Sequence, residues 1–275
     1  MRLHFKSSLI FYAFTLRVFL VILFAPLIGF AQENTLTRQN PIYKTIDDEQ
    51  NRLHWDYWGV EGPAHWGMLT KEYMTCEAGS KQSPIDIQAR GLSHRQENLE
   101  FLYNISELHE INNGHTVQIS HKSGCKVDLN KRAYKLRQFH FHEPSELHIN
   151  GKAFPMEMHL VHQDEAGHIL VIAVMMEIGP EHPALKNIWN WLPSQIGKET
   201  SFPIKVNLRK ILPANTEHFS YSGSLTTPPC SEGVQWIVLT EPIKISEQSV
   251  KKFSAIIGLN ARPVQPLGQR HIELN

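Results

Sequence analysis

The chain alternates between short apolar runs and turn-forming clusters, and the runs have the period of strands. Thr116–Ser120, Gln138–His142, Met156–His162, Ile169–Met176 and Val234–Thr240 are alternating or continuously apolar, and rich in β-branched and aromatic residues. Asn113-Gly114, Asn150-Gly151 and Ala166-Gly167 lie between runs and predict turns. Helical patterning is confined to Pro183–Trp191 and Ser246–Ile257, the second with an N-cap at Ser246. The pattern predicts a β-rich (α+β) chain built around an antiparallel sheet, with a few short surface helices.

Composition adds a boundary to this picture. With 275 residues, 41% hydrophobic and 20% charged, the chain is ordinary globular material, large enough for one domain without disulfide staples. The first 31 residues differ: they carry Arg2, Lys6 and Arg17, no acidic residue, and an apolar run from Val18 to Phe30. Small residues at Gly29 and Ala31 complete the build of a secretory signal peptide cut after Ala31. The rival is an uncleaved anchor, because Leu9–Phe30 is long enough to span a bilayer. Arg17 would then sit near mid-bilayer, at a cost of about 2.5–3.5 kcal/mol. Residues 32–53 read as a polar, partly disordered extension and residues 54–275 as the folded domain.

Export follows from the leader, to the periplasm in a Gram-negative cell and otherwise to the medium. After the cut, no stable membrane insertion is expected. Without the leader, Lys+Arg falls from 27 to 24 against 27 Asp+Glu, a net charge of about −3. A slightly acidic chain with no basic block gives nucleic acid nothing to bind. Three cysteines, Cys76, Cys125 and Cys230, allow one disulfide in an exported protein. No CxxC spacing occurs, which argues against a cysteine-ligated zinc.

The chemistry lies in the histidines. Side chains alternate across a strand, so His140 and His142 share one face while Phe139 and Phe141 share the other. In Met156–His162, Glu157, His159 and Val161 share a face. Asn150-Gly151 lies between the two strands and suits an antiparallel pairing that brings His159 to the first two imidazoles. Three imidazoles with a fourth position open to water are the ligand set of a catalytic zinc. A bare His-x-His pair is more often two exposed polar positions; the third histidine one hairpin away brings the two readings level. Gln138 and Glu157, each two residues before a ligand on its own face, are placed to accept the remaining ring N–H.

These residues belong to longer strings. Gln138-Phe139-His140-Phe141-His142, Ser145-Glu146 and Glu157-Met158-His159-Leu160-Val161-His162 resemble the α-class carbonic anhydrases. So do Gln82-Ser83-Pro84-Ile85, Asn112-Asn113-Gly114-His115, Gly223-Ser224-Leu225-Thr226-Thr227-Pro228-Pro229 and Arg262-Pro263-Val264-Gln265-Pro266-Leu267. They run in family order from about His54 to Arg270. The resemblance implies one domain around a twisted, mostly antiparallel sheet of about ten strands. It implies zinc-dependent, reversible hydration of carbon dioxide to bicarbonate and a proton, by attack of zinc-bound hydroxide. Asn260 would orient His142. Thr226 and Glu146 would aim the hydroxide. Val161, Val171, Leu225, Thr227, Val234 and Trp236 would line the substrate pocket. His115 would shuttle protons, with Tyr57, Asn113 and Gln118 ordering the water path. Cys76 and Cys230 would form the disulfide, whose long loop is worth roughly 5 kcal/mol in chain entropy. Exported members also lead to the expectation of a homodimer.

Two positions depart from the family. Leu147 stands where many members have a buried histidine, which predicts repacking or a lost hydrogen bond and leaves the fixing of Glu146 in question. Glu143 stands where animal members commonly have tryptophan. Two other functions stay open. One is a zinc hydrolase acting on esters or other acyl substrates with the same hydroxide. The other is a binding protein without catalysis, a type that usually lacks one of the three histidines.

Overall fold

The computed structural model describes residues 54–120 and 124–275. The predicted leader and the extension at 32–53 therefore lie outside the described residues. Among the described residues fourteen strands form in chain order: β1 Asp86–Ile87, β2 Ser93–His94, β3 Leu99–Leu102, β4 Ile105–Asn112, β5 Val117–Ser120, β6 Lys126–Leu129 and β7 Arg132–His142. The rest are β8 His148–Ile149, β9 Met156–Gln163, β10 Ile169–Ile178, β11 Glu199–Asn207, β12 His218–Ser224, β13 Glu232–Ile245 and β14 Glu273–Leu274. The helices are short: α1 Trp66–Leu69, α2 Thr75–Ala78, α3 Lys186–Asn190 and α4 Glu247–Ile256. Ser246 caps α4 by accepting the Ser249 N–H through its hydroxyl at 3.1 Å. The patterned stretch Pro183–Trp191 is helical only over α3.

Twelve strands make one sheet in the order β11-β4-β5-β7-β9-β10-β13-β12-β14-β2, with β6 joining β3 to β7. The sheet is mixed: β10–β13 and β14–β2 pair in parallel, and the other pairings are antiparallel. The main path has ten strands, as the resemblance implied, and β3 and β6 add to it at one side.

Strands β9 and β10 are central, and their alternation sorts two cores. Met158, Leu160, Leu170, Ile172 and Val174 pack with Phe139, Phe141 and Ile237 on one side. Val161, Val171, Ala173, Val234 and Trp236 pack with Ile85, Ile87 and Leu147 on the other. Both faces of β10 are buried from Ile169 to Met176, which explains its continuous apolar run.

The turn at Asn150-Gly151 forms, both residues having positive φ (51° and 78°), as a two-residue hairpin turn requires. It does not join β7 to β9 directly. It closes Ile149 onto Lys152, within a connection whose β8 pairs in parallel with β1 in a separate two-stranded sheet. Two residues of positive φ, Asn130 and Lys131, make the β6–β7 turn. The family-implied bridge is present between Cys76 and Cys230. Cys125 is buried and lies outside the bridge.

One core position is unlike the rest. Glu110 on β4 is fully buried opposite Ile119 and Thr200, and neither carboxyl oxygen has a hydrogen-bond partner among the described residues. Burial pushes its carboxyl up to about 8. A folded pKa above the unfolded value of roughly 4.3 means the fold holds the proton more tightly. This group's favourable contribution is therefore present below that unfolded value and is lost as pH rises through about 8. Glu110→Gln should stabilise the protein by roughly 2–4 kcal/mol at alkaline pH and by little under acid conditions. Urea unfolding across that range checks this, and a gap between variant and parent that stays constant with pH would refute it.

Candidate functional site

Strands β7 and β9 carry the site. Their antiparallel register sets His140 opposite His159 and His142 opposite Glu157. Phe139 and Phe141 point into the first core, so both histidines of β7 point to the other face. The three ring centroids lie 5.0, 5.3 and 4.6 Å apart, and one nitrogen from each ring falls within 4.8 Å of the others.

Each ring has a partner on its far side. The Gln138 Oε1 lies 2.7 Å from His140 Nδ1, and Glu157 Oε1 lies 2.8 Å from His159 Nε2. An amide or carboxylate oxygen can only accept, so those ring nitrogens carry the protons. His142 Nδ1 donates to the backbone oxygen of Asn260 at 2.8 Å. The Asn260 side chain braces the surroundings: Oδ1 accepts from the Glu143 N–H, and Nδ2 donates to the carbonyls of His115 and Phe141. What remains on the inner side is Nε2 of His140, Nε2 of His142 and Nδ1 of His159, each with a lone pair. His142 Nε2 is buried and has no hydrogen-bond partner among the described residues.

An orphan acceptor of that kind is costly unless something fills the gap. Burial also depresses the basicity of all three rings, taking His159 to about 3. For His140, the neighbouring rings of His142 and His159 add to the effect. Three imidazoles held neutral, with converging lone pairs and donor-locked outer nitrogens, fit a metal ion.

Glu146 borders the same point. Its Oε2 lies 3.6 Å from His142 Nε2 and 4.0 Å from His159 Nδ1. Its Oε1 accepts the Arg262 N–H at 2.9 Å. Burial raises the Glu146 carboxyl, while His142, the Thr226 hydroxyl and the Arg262 N–H favour its ionised form. Leu147 does not loosen it. The side chain of Leu147 is fully buried beside Ile85 and Ile87 in the second core. The backbone N–H groups of Glu146 and Leu147 both donate to Glu157 Oε2, at 2.8 and 2.9 Å. Glu157 thus holds His159 with one oxygen and the Glu146 loop with the other. Burial pushes its carboxyl up to about 7, against the pull of those two backbone donors.

An apolar wall adjoins the imidazoles. Val161, Val171 and Trp236 are register partners across β9, β10 and β13, and Val234 is buried with them. Leu225 packs against this group, and Thr227, two residues on, is half-buried. The Trp236 ring meets His159 edge-on at 5.0 Å, and its N–H donates to the Ser224 carbonyl.

His115 sits on the Asn112–Gly114 turn. Gly114 takes a positive φ of 89°, and Asn113 Oδ1 accepts the N–H groups of both His115 and Thr116. The Asn113 side-chain oxygen is thus committed to the backbone of its own turn. Gln118 is the register partner of His140, and Tyr57 is half-buried, its phenol close enough to Glu146 to feel that charge. The His115 ring lies flat on Trp55, centroids 3.8 Å apart and planes within 8°. In this stacked position burial takes its pKa down to about 4.

Sequence reasoning left two supporting residues without a role. Trp55, two residues before Tyr57, is the platform for His115. Arg262 is fully buried and ties three segments: its guanidinium donates to Gln82 Oε1 and to the carbonyls of Ser83 and Cys76. Arg262 lay inside a family string, but its partners are about 180 positions away. Local spacing carries no trace of such contacts.

A central mixed sheet bearing three converging imidazoles on one face defines an α-class carbonic anhydrase architecture. The family model for eukaryotic-type carbonic anhydrases matches residues 61–275. A carbonic anhydrase of Pectobacterium atrosepticum is 39% identical over 221 residues, covering 80% of this chain and 90% of that protein. One from Klebsiella pneumoniae is 43% identical over 220 residues, covering 79% and 89%. The solved α-carbonic anhydrase of Thermovibrio ammonificans, in complex with the inhibitor sulfanilamide, superposes with a TM-score of 0.79 at 41% identity. That match covers 81% of this chain and 99% of that one. Dioscorin, solved with ascorbate, shares the fold at 27% identity and a TM-score of 0.75, over 80% of this chain and 97% of that one. The chain belongs to the eukaryotic-type, or α-class, carbonic anhydrase family.

Proposed function

We propose that this chain catalyses the reversible hydration of carbon dioxide, with zinc held by His140 Nε2, His142 Nε2 and His159 Nδ1. The observation that carries the reading is the orphaned, buried Nε2 of His142 between two other lone pairs, each ring locked by its own acceptor. Zinc bound there supplies a Lewis acid that brings the pKa of water to about 7, a value that belongs to the carbonic anhydrase class as a whole.

The protein's own residues do the rest. Glu146, when ionised, can only accept, so the Thr226 hydroxyl proton points to it. The Thr226 oxygen then offers a lone pair to the proton of the attacking oxygen. That contact turns the nucleophile's other lone pair toward carbon. The Thr226 N–H is the donor assigned to the charge that grows on the carbon dioxide oxygen. Val161, Val171, Leu225, Val234 and Trp236 give an uncharged substrate an apolar wall, and Thr227 stands at its edge. His115 carries the product proton outward along waters ordered by Tyr57, Asn113 and Gln118. While stacked on Trp55 its ring stays neutral; swinging off the indole restores the ordinary range near 6.5 and lets it pick up the proton. The Cys76–Cys230 bridge supports export, since such bonds persist in oxidising compartments. No helix among the described residues is long and apolar enough to cross a membrane.

Metal analysis with stopped-flow carbon dioxide hydration tests the reading. Stoichiometric zinc and rapid hydration, lost on chelation and regained with zinc, are expected. Zinc with ester hydrolysis but no hydration would move the assignment to a hydrolase. Absence of zinc from a protein purified under metal-replete conditions would move it to a binding role.

A further inference from the structure

Asp56 stands between the two aromatic residues that flank His115. Trp55 before it carries the His115 ring flat at 3.8 Å, and Tyr57 after it meets the same ring edge-on at 6.5 Å. Hydrogen bonds pin Asp56 in place. Its Oδ1 accepts the Tyr57 N–H at 2.6 Å. Its own N–H donates to the Glu61 carbonyl at 2.9 Å, and its carbonyl accepts the Trp66 indole N–H at 2.9 Å. Trp66 in turn packs edge-on against both Trp55 and Tyr57. A half-buried carboxylate is thus fixed at the aromatic cluster on which His115 rests.

The electrostatics around His115 are set by few groups. Burial opposes charge on its ring, Asp56 favours charge, and a charged His54 opposes it. Glu61 lies 3.1 Å from His54 Nδ1 and answers that ring. Tyr57 is neutral: burial, Glu146 and Asp56 all hold its phenol proton well above the usual range. Asn113 and Asn260, which bond the His115 backbone from other segments, are neutral amides. A proton carrier has to bind its proton well enough to take it from a donor that titrates near neutrality. The stack on Trp55 works against that requirement, and the charge of Asp56 works for it. Opposite charges attract more strongly where water is partly excluded.

We propose that Asp56 is the counter-charge of the proton shuttle, its pinned carboxylate stabilising the imidazolium that His115 becomes while it holds the product proton. The inference rests on His115 being the carrier, as in the proposed function. When the proton arrives, an N–H bond forms on the ring and the ring becomes positive beside Asp56. When the proton leaves for a buffer base, that bond breaks and the ring is neutral again. Asp56 itself neither gains nor loses a proton in the cycle. It acts through His115 and not on the substrate.

The test uses the zinc enzyme and the variants D56N, D56S and H115A, with D56N also placed in the H115A background. Asparagine and serine each keep an oxygen that can accept the Tyr57 N–H, and both lose the charge. Proton NMR of the imidazole C–H signals, assigned by their loss in H115A, follows the titration of His115. D56N and D56S should each lower its midpoint by about one pH unit. In dilute buffer kcat should fall several-fold with kcat/KM unchanged, and concentrated imidazole should restore it. The pH maximum of oxygen-18 exchange at the proton-delivery step should move to lower pH. D56N should add nothing in the H115A background. An unmoved midpoint in D56N and D56S beside a slowed H115A would overturn the counter-charge and leave the shuttle standing. A lowered kcat with an unmoved midpoint would overturn it too, because Asp56 would then serve only to hold the chain. Normal kcat in H115A would remove the carrier itself and the role of Asp56 with it.

Discussion

His142→Ala is expected to leave a folded protein that no longer holds zinc and no longer hydrates carbon dioxide at a useful rate. The side chain is 1% exposed; one nitrogen donates to the Asn260 carbonyl and the other faces the proposed metal position. Alanine leaves two imidazoles and an unpaired Asn260 oxygen. Loss of a group that merely orients a ligand costs about 10–100-fold in activity or affinity. Loss of the ligand itself should exceed that range. The stability cost of the unpaired carbonyl is about 1–3 kcal/mol, small enough for the fold to survive. Zinc content, stopped-flow hydration and thermal unfolding of the same sample separate the effects. Unchanged zinc in the variant would take His142 out of the ligand set.

Thr226→Val tests orientation in place of binding. Valine keeps the shape and removes the hydroxyl that faces Glu146. Zinc should remain, because Thr226 is not among the three ligands assigned to it. Activity should fall about 10²–10³-fold in kcat/KM, the usual consequence of removing one positioned hydrogen-bonding group from a reacting oxygen. Glu146→Gln should fall in the same direction, since an amide can donate as well as accept and no longer dictates where the Thr226 proton points. A loss of less than threefold in Thr226→Val would show that the nucleophile is aimed by something else.

The position of Glu146 in turn depends on its neighbour Leu147. The absence of the usual histidine there had put the fixing of Glu146 in question. In the structure, the backbone at 146 and 147 makes the connection to Glu157, so any side chain that fills the second core serves. Backbone N–H groups are present whatever the residue type, and for that reason a residue-by-residue reading could not weigh them. The departure at Glu143 has a similar resolution. Its N–H is held by Asn260 Oδ1, and burial raises its carboxyl while Ser254 opposes that rise.

Some expectations were legible because they rest on period. Alternation in Phe139-His140-Phe141-His142 must put both histidines on one face if the segment is a strand, and β7 is one. The same period placed Gln138 beside His140 and Glu157 beside His159. Turn chemistry located Asn113-Gly114 and Asn150-Gly151. Short edge strands such as β2 and β14, two residues each, carry no period to read. The parallel β10–β13 pairing joins segments 65 positions apart in register, Leu170 with Gln235, and long-range pairing leaves no local mark.

Residue order alone was enough to reveal a strand-borne trio of imidazoles, the acceptors flanking two of them, and the family strings around them. How the trio closes came from the folded chain. Register set His140 against His159, the acceptor that the resemblance had placed at Asn260 proved to be its backbone carbonyl, and Arg262 gathered Cys76, Gln82 and Ser83 behind Glu146. Folding also set the surroundings of His115, where Trp55 and His54 meet a turn some sixty residues further along the chain. The physical reason is the same in each case. Periodicity fixes the direction of a side chain within its own element, whereas partners contributed by other elements depend on register and packing, which are set when the elements come together.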